Sequence, residues 1–370
     1  MKRFALSVIG AVAAVATTAA LAGPAMAQAK KPVNIYIWND YLGDSTLADF
    51  TKATGYETKV DLYDSLELLE QKVLVGKSGY DVIVPTAEPT LSRMIQAKVV
   101  APLDKAKIPN LKNVDPKVLK LLENSDPGNK FAVPYLGGTV GIAIIPEKIK
   151  AVAPDVPLDS WDLIFKPEVA KKVASCGITV MDSAIDVIPS VLNYLGLDPN
   201  SEKKEDLDKA EKALMAVRPY IKQFVTGGNI NILAAGDACV VMSYNGDAIQ
   251  GAARAEEAKN GVKVEYVTPK EGVQVWWDTL AIPADAPNKA GAYDYINFIL
   301  DPANIAAISN KVNYANAVPA SLASVDEAVK SNPAVFLPET SKVKLFSLKP
   351  IKQATDRART RVWTKVKTGK

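Results

Sequence analysis

VNIYIWNDYLGDSTLADFTKATGYETKVDLYDSLELLEQKVLVGKSGYDVIVP, residues 33–85, changes its period four times. Val33 to Trp38 is an apolar, strand-like run that breaks at Asn39-Asp40. Residues 45–54 then place Leu47, Phe50 and Ala53 on one helical face and stop at Gly55. Glu57 to Tyr63 alternates as a strand does. Ser65 to Val75 reads as a second helix, ended by Gly76, and Tyr80 to Val84 is a short apolar strand closed by Pro85. Strands alternating with helices predict an α/β fold with parallel strands. In such sheets ligands sit beyond the carboxyl ends of the strands, because loops converge there. That rule singles out Trp38, Asn39, Asp40, Tyr41 and Thr86.

Downstream, Gly137 to Ile144 reads as a glycine-containing strand and as the first crossing between two lobes. Further strands are expected near 176–181, 238–243, 263–267 and 279–283. Helices are expected over 202–217, which is strongly charged, and 289–300. The last fifty residues read as helical and basic, with Arg357, Arg359, Arg361, Lys365, Lys367 and Lys370. There are no repeats, low-complexity tracts or flexible linkers, so strands rather than a tether should join the lobes. About 340 residues exceeds what one core normally holds. The expected division is 28–138 with 279–324 for one lobe and 139–278 with 325–370 for the other.

The amino terminus carries Lys2 and Arg3, an Ala/Val-rich run from Phe4 to about Leu21, and Ala25-Met26-Ala27. This is the pattern of a cleaved export signal over residues 1–27. The apolar run is short for a stable membrane span, and no cysteine sits at the cleavage point to take a lipid. A soluble periplasmic product starting near Gln28 is expected. Of 44 Lys and Arg, cleavage removes two, leaving 42 against 41 Asp and Glu. A net charge of +1 gives no electrostatic case for nucleic acid. The chain contains no histidine. His-dependent triads, His general bases and His-ligated zinc are therefore excluded, and no metal or cofactor is expected. Its two cysteines, Cys176 and Cys239, fit one disulfide in an exported chain, or two small buried thiols.

Three times an aromatic residue and an aspartate fall together where an apolar run meets a break: Trp38 with Asp40, Tyr244 with Asp247, and Trp276 with Asp278. Tyr314 adds a further ring. An alkyl-ammonium ligand needs this mixture. Aromatic faces attract the cation and cover its methylenes, and carboxylates accept charge-assisted hydrogen bonds from its ends. The same pairs also fit core aromatics beside helix-capping aspartates, and the residues alone leave both readings open.

The stretches IYIWNDY (35–41), SWDLIFKPE (160–168), LNYLGLDPNS (192–201), EAKNGVKV (257–264) and RTRVWTKVKTGK (359–370) decide between them. Over the whole mature chain the sequence resembles the periplasmic polyamine-binding proteins, nearest their putrescine-binding branch. The resemblance implies a type II periplasmic-binding fold whose two lobes of mixed sheet are joined by hinge strands. It also implies a monomeric receptor that delivers a polyamine to the membrane permease of an ABC importer. Carried over residue by residue, it places Trp38, Asn39, Asp40, Tyr41, Thr86, Asp186, Tyr244, Asp247, Trp276, Asp278 and Tyr314 at the ligand. Asp40 would hold one ammonium, and Trp276 and Tyr314 would sandwich the methylene chain. It pairs Cys176 with Cys239, which closes a loop of about sixty residues and would contribute roughly 4 kcal/mol.

Some positions depart from the family pattern. Asp186 stands where relatives usually carry Glu, Tyr244 where they have Trp, and Trp276 where putrescine binders tend to have Phe. Glu88 has no acidic counterpart; it reads as a first-turn helix acid or as an extra ligand carboxylate. Putrescine is therefore the first choice, with spermidine, cadaverine or agmatine as alternatives. A sensor that docks on a receptor instead of a permease would use the same closure. An enzymatic reading rests on Ser201-x-x-Lys204, Ser243-x-Asn245 and Lys367-Thr368-Gly369, the pattern order of Ser-Lys acyl transferases. Against it, Ser201 falls in a charged run expected to be exposed, and Lys367 lies at the chain end.

Overall fold

The computed structural model describes Met1, residues 30–336 and residues 342–370, and Lys31–Lys370 form one compact unit. The expected export signal falls on residues 2–29, outside the described ones.

The opening stretch folds as its periods require. β1 (Val33–Trp38) buries Val33, Ile35 and Ile37. α1 (Thr46–Thr54) buries Phe50 and ends at Gly55 with φ 72°, a left-handed conformation that glycine adopts without a Cβ penalty. β2 (Thr58–Tyr63) follows, and then α2 (Leu66–Leu74), whose first turn is capped by Ser65 Oγ accepting from Leu68 N at 3.3 Å. β3 shrinks to Val82–Ile83, and β1 lies parallel to both β2 and β3. α3 (Ser92–Gln96) closes this part.

β4 (Ala132–Ile144) is longer than its glycine-rich half predicted. The second α/β part contains β5 (Ile178–Val180), α4 (Ala184–Tyr194), α5 (Lys204–Val217), β6 (Gln223–Phe224), β7 (Val240–Tyr244), α6 (Asn245–Glu257) and β8 (Glu265–Val267). β5 is parallel to β6 and β7. β9 (Val273–Ala281) returns antiparallel to β4, and α7 (Lys289–Ile299) packs back against β1. β10 (Ala315–Asn316) pairs with β4 and β11 (Leu345–Ser347) with β9. The strand order β2-β1-β3-β9-β4-β7-β5-β6 puts the two long strands in the middle. β9 ends beside β3 (Ile83 opposite Ala281), and β4 ends beside β7 (Ile144 opposite Val240). Their ladder slips between Pro134 and Gly137. The chain thus has two lobes of mixed sheet sharing a two-stranded ribbon.

Cys176 and Cys239 form a disulfide across 63 residues, tying the entrance of β5 to that of β7. The last fifty residues are not uniformly helical. β11 precedes α8 (Gln353–Thr368), because the edge of β9 offers it a pairing partner, and Pro350 keeps the helix from starting earlier. Ser201 is buried rather than exposed: its Oγ donates to Asp206 Oδ2 at 2.7 Å at the start of α5, while Lys204 pairs with Asp208. That hydroxyl has no lysine base.

Candidate ligand-binding site

β1, β3, β7 and β9 all end or cross at one cleft, which contains about 670 Å³ of empty space counted out to its mouth. This is within the roughly 300–1,000 Å³ of small-molecule sites. All eleven residues singled out from the sequence line it, and so does Glu88. Alternation along β9 explains part of this convergence. Residues two apart point to one face of a strand, so Gln274, Trp276 and Asp278 face the cleft together while Trp277 faces away from it.

Aromatic rings surround the cleft. From Tyr63 the contacts run through Trp38 (ring centroids 4.7 Å apart), Tyr244 (6.3 Å), Trp276 (5.4 Å), Tyr314 (5.3 Å) and Tyr41 (5.4 Å). Most meet edge to face, the geometry favoured by ring quadrupoles. Two glycines make room for them. A Cβ on Gly138 would lie 2.7 Å from the Trp276 ring, and one on Gly246 would run into the Tyr314 ring.

Two carboxylates, Asp278 and Asp186, are buried within this aromatic wall, and a third, Asp247, is half-buried there. Asp278 accepts from Thr86 Oγ1 at 2.5 Å. Burial pushes its pKa up to about 7; Thr86 and Tyr41 pull it partly back, and the charge of Asp186 pushes it further up. Asp186 lies in the first turn of α4. It accepts from Ser183 Oγ at 2.7 Å, Tyr244 OH at 2.9 Å and Gln274 Nε2 at 2.9 Å, and burial still raises its pKa. Asp247, in the first turn of α6, accepts from Tyr314 OH at 2.7 Å. Burial takes it to about 6, with Tyr314 opposing. Each is held by neutral donors, which orient a carboxylate without neutralising it.

Asp40 differs. It is exposed at the cleft mouth, takes a left-handed backbone (φ 51°), and pairs with Arg254 of α6 at 2.8 Å. Its charge already has a partner. Glu88 is not a first-turn helix acid: its backbone is extended (φ −123°, ψ 134°) and its side chain is 8% exposed. Ser92 Oγ donates to Glu88 Oε2 at 2.8 Å, and burial raises this acid to about 7. The sequence reading missed Tyr63, Asp64, Leu66, Ile185, Thr226, Gly227, Ile230 and Gln274. Only Gln274 carried a usable signal, its strand parity with Trp276 and Asp278.

The lining holds six acids, Asp40, Asp64, Glu88, Asp186, Asp247 and Asp278, and no Lys or Arg. Among the described residues no group of three or more His, Cys, Asp or Glu is placed to hold a metal ion. Carboxylates spread along an aromatic sleeve suit an elongated organic cation.

Residues 45–337 match the family model for bacterial extracellular solute-binding proteins. The chain is 46% identical over 347 residues to the putrescine-binding periplasmic protein PotF of Escherichia coli K12, covering 93% of this chain and 94% of that one. It is 42% identical to the putrescine-binding periplasmic protein SpuD of Pseudomonas aeruginosa UCBPP-PA14 over the full length of both. Among solved structures it is similar to PotD, the spermidine/putrescine ABC transporter substrate-binding protein of Streptococcus pneumoniae. The TM-score is 0.72 at 26% identity, covering 92% of this chain and 99% of that one. A two-lobed fold around an acidic aromatic cleft and these three likenesses lead to one conclusion: the chain belongs to the bacterial extracellular solute-binding proteins.

Proposed function

We propose that this protein is the periplasmic receptor of an ABC importer, that it captures a short polyamine between its lobes, and that putrescine is its first ligand. The observation that carries this reading is the imbalance in the cleft: six carboxylates, three of them (Asp278, Asp186 and the half-buried Asp247) set among the aromatic rings, and no basic side chain among the lining residues. Burying a carboxylate without a counter-charge is costly and shifts its pKa upward. A dication that seats its ammonium groups on Asp278, Asp186 and Asp247 supplies the missing charge, while Trp276, Tyr314 and Trp38 cover its methylenes. The names of the relatives point the same way: two are putrescine-binding, and others are putrescine/agmatine-binding or putrescine/cadaverine-binding.

Residues 28–138 with 279–324 form one lobe in this reading and 139–278 with 325–370 the other, after removal of residues 1–27. β4 and β9 act as the hinge, near residues 138 and 278. Ligand favours the closed form because only that form lets both lobes touch it. Delivery is to the importer's permease, by a monomer. Calorimetric titration of the mature, ligand-stripped protein with putrescine, cadaverine, agmatine and spermidine tests the reading. Saturable binding at micromolar or tighter affinity, putrescine foremost, is expected; a folded protein that binds none of the four overturns it.

A further inference from the structure

Asp64 and Gly227 line the cleft from opposite lobes of the division given above. They meet so closely that position 227 has no room for a side chain. A Cβ on Gly227 would lie 2.5 Å from Asp64 Cβ, 2.8 Å from Asp64 Oδ2 and 3.1 Å from Asp64 Cγ, and these are the three atoms nearest to it. Carbon atoms in contact normally keep about 3.5–4.0 Å apart. The backbone itself does not ask for glycine, since Gly227 does not take a left-handed φ. Gly55, Gly76 and Gly196 are the reverse case: each is left-handed, with open space where a Cβ would go. What Gly227 supplies is clearance for the other lobe.

Neither partner can step aside. Turning the Asp64 side chain about its Cα–Cβ bond leaves Cβ where it is. The backbone there runs from Tyr63, whose carbonyl accepts from Asn39 N at 3.0 Å, to Ser65, the cap of α2. Gly227 lies in the turn between β6 and the helix Asn229–Ala235. Val225 N donates to Val180 O at 2.9 Å before the turn, and Ile232 N to Gly228 O at 3.1 Å after it, so the turn moves with its own lobe. An added methyl is therefore accommodated by holding the lobes apart, by about 1 Å at this point.

From this we infer that Gly227 is a positioning residue for ligand capture: it is the seat into which Asp64 closes, and its missing side chain sets how far the lobes can close. This rests on the polyamine reading above and on its two closing lobes.

The test measures putrescine affinity of the mature protein and of Gly227→Ala by calorimetry, with thermal melting of each ligand-free protein. Affinity is expected to fall at least tenfold in the variant, because ligand favours only the form in which both lobes touch it. The ligand-free melting temperature should stay at or above the parent's, since alanine suits this backbone and the open form has no clash. Two further variants separate clearance from damage to the turn. Gly228→Ala, whose Cβ would meet only Val225 and Ile232 of the same lobe, the nearer at 3.3 Å, should bind within threefold of the parent. In an Asp64→Gly background, which removes all three clashing atoms, Gly227→Ala should change affinity less than threefold. Parental affinity in Gly227→Ala, an equal loss in Gly228→Ala, or an undiminished effect in the Asp64→Gly background each overturns the seat and leaves the polyamine reading in place. So does a ligand-free Gly227→Ala protein that melts well below the parent or fails to fold, because a clash between lobes is relieved by opening. A folded parent that binds no putrescine overturns instead the reading on which the seat rests.

Discussion

Asp278 couples proton and ligand binding at the level of a single residue. Its folded-state pKa, about 7, lies above the ordinary carboxylate value, as does that of Asp247, about 6. Between about pH 4 and 7 the ligand-free fold therefore holds more protons than the unfolded chain, so these groups' contribution to stability falls as pH rises through that window. An ammonium seated beside them favours the charged form. Binding then expels protons, and affinity should rise about tenfold or more from pH 5 to pH 8. Calorimetry in buffers of different ionisation enthalpy counts those protons directly, without interference from imidazole, because the chain has no histidine. Asp278→Asn should weaken putrescine binding about thirtyfold or more and flatten the pH dependence. Parental affinity in that variant would remove Asp278 from the site. At this scale acids and rings at strand ends marked part of the cleft, but they fitted core packing equally well, and Asp186 was placed there only by the family resemblance. The pairing of Asp40 with Arg254 was not readable, because the two are 214 residues apart and meet only through the fold.

Among the elements, β9 carries the densest information. Its inward face supplies Gln274, Trp276 and Asp278, and its paired strand β4 supplies Gly138 directly opposite Trp276. Gly138→Ala should cost about 1–3 kcal/mol of stability, because the added methyl must displace Trp276 or Asn245. Urea unfolding measures that loss. The variant should also bind putrescine more weakly, since Asn245 Oδ1 accepts from Thr139 N at 3.0 Å and anchors the start of α6, where Asp247 sits. Unchanged stability would mean that the aromatic wall yields freely. Strand and helix periods in the sequence located β1, α1, β2, α2 and β7 to within two residues. The carboxyl-terminal stretch misled because basic residues at helical spacing describe α8 well but say nothing of β11. That strand exists only because β9 offers it an edge.

For the whole molecule, the proposed closure predicts a change of shape. In the proposed division two ion pairs join the lobes: Arg254 reaches Asp40 at the cleft mouth at 2.8 Å, and Arg93, held within its own lobe by Glu70, reaches Asp356 at 2.7 Å. Small-angle scattering of the ligand-free protein should give a larger radius of gyration than the putrescine complex. Identical values would mean that the lobes do not part. The ribbon of β4 and β9 bears on how they part. Paired strands scarcely stretch or shear, since every ladder bond would have to break at once, but they bend and twist at little cost. A slip in register between Pro134 and Gly137 is where such a ribbon gives most easily. In the proposed closure the lobes would then be mounted like two plates on a leaf spring. Such a spring has one soft direction and resists the others, so each closing stroke would bring Asp186 and Asp247 back to the same place opposite Thr86 and Trp38.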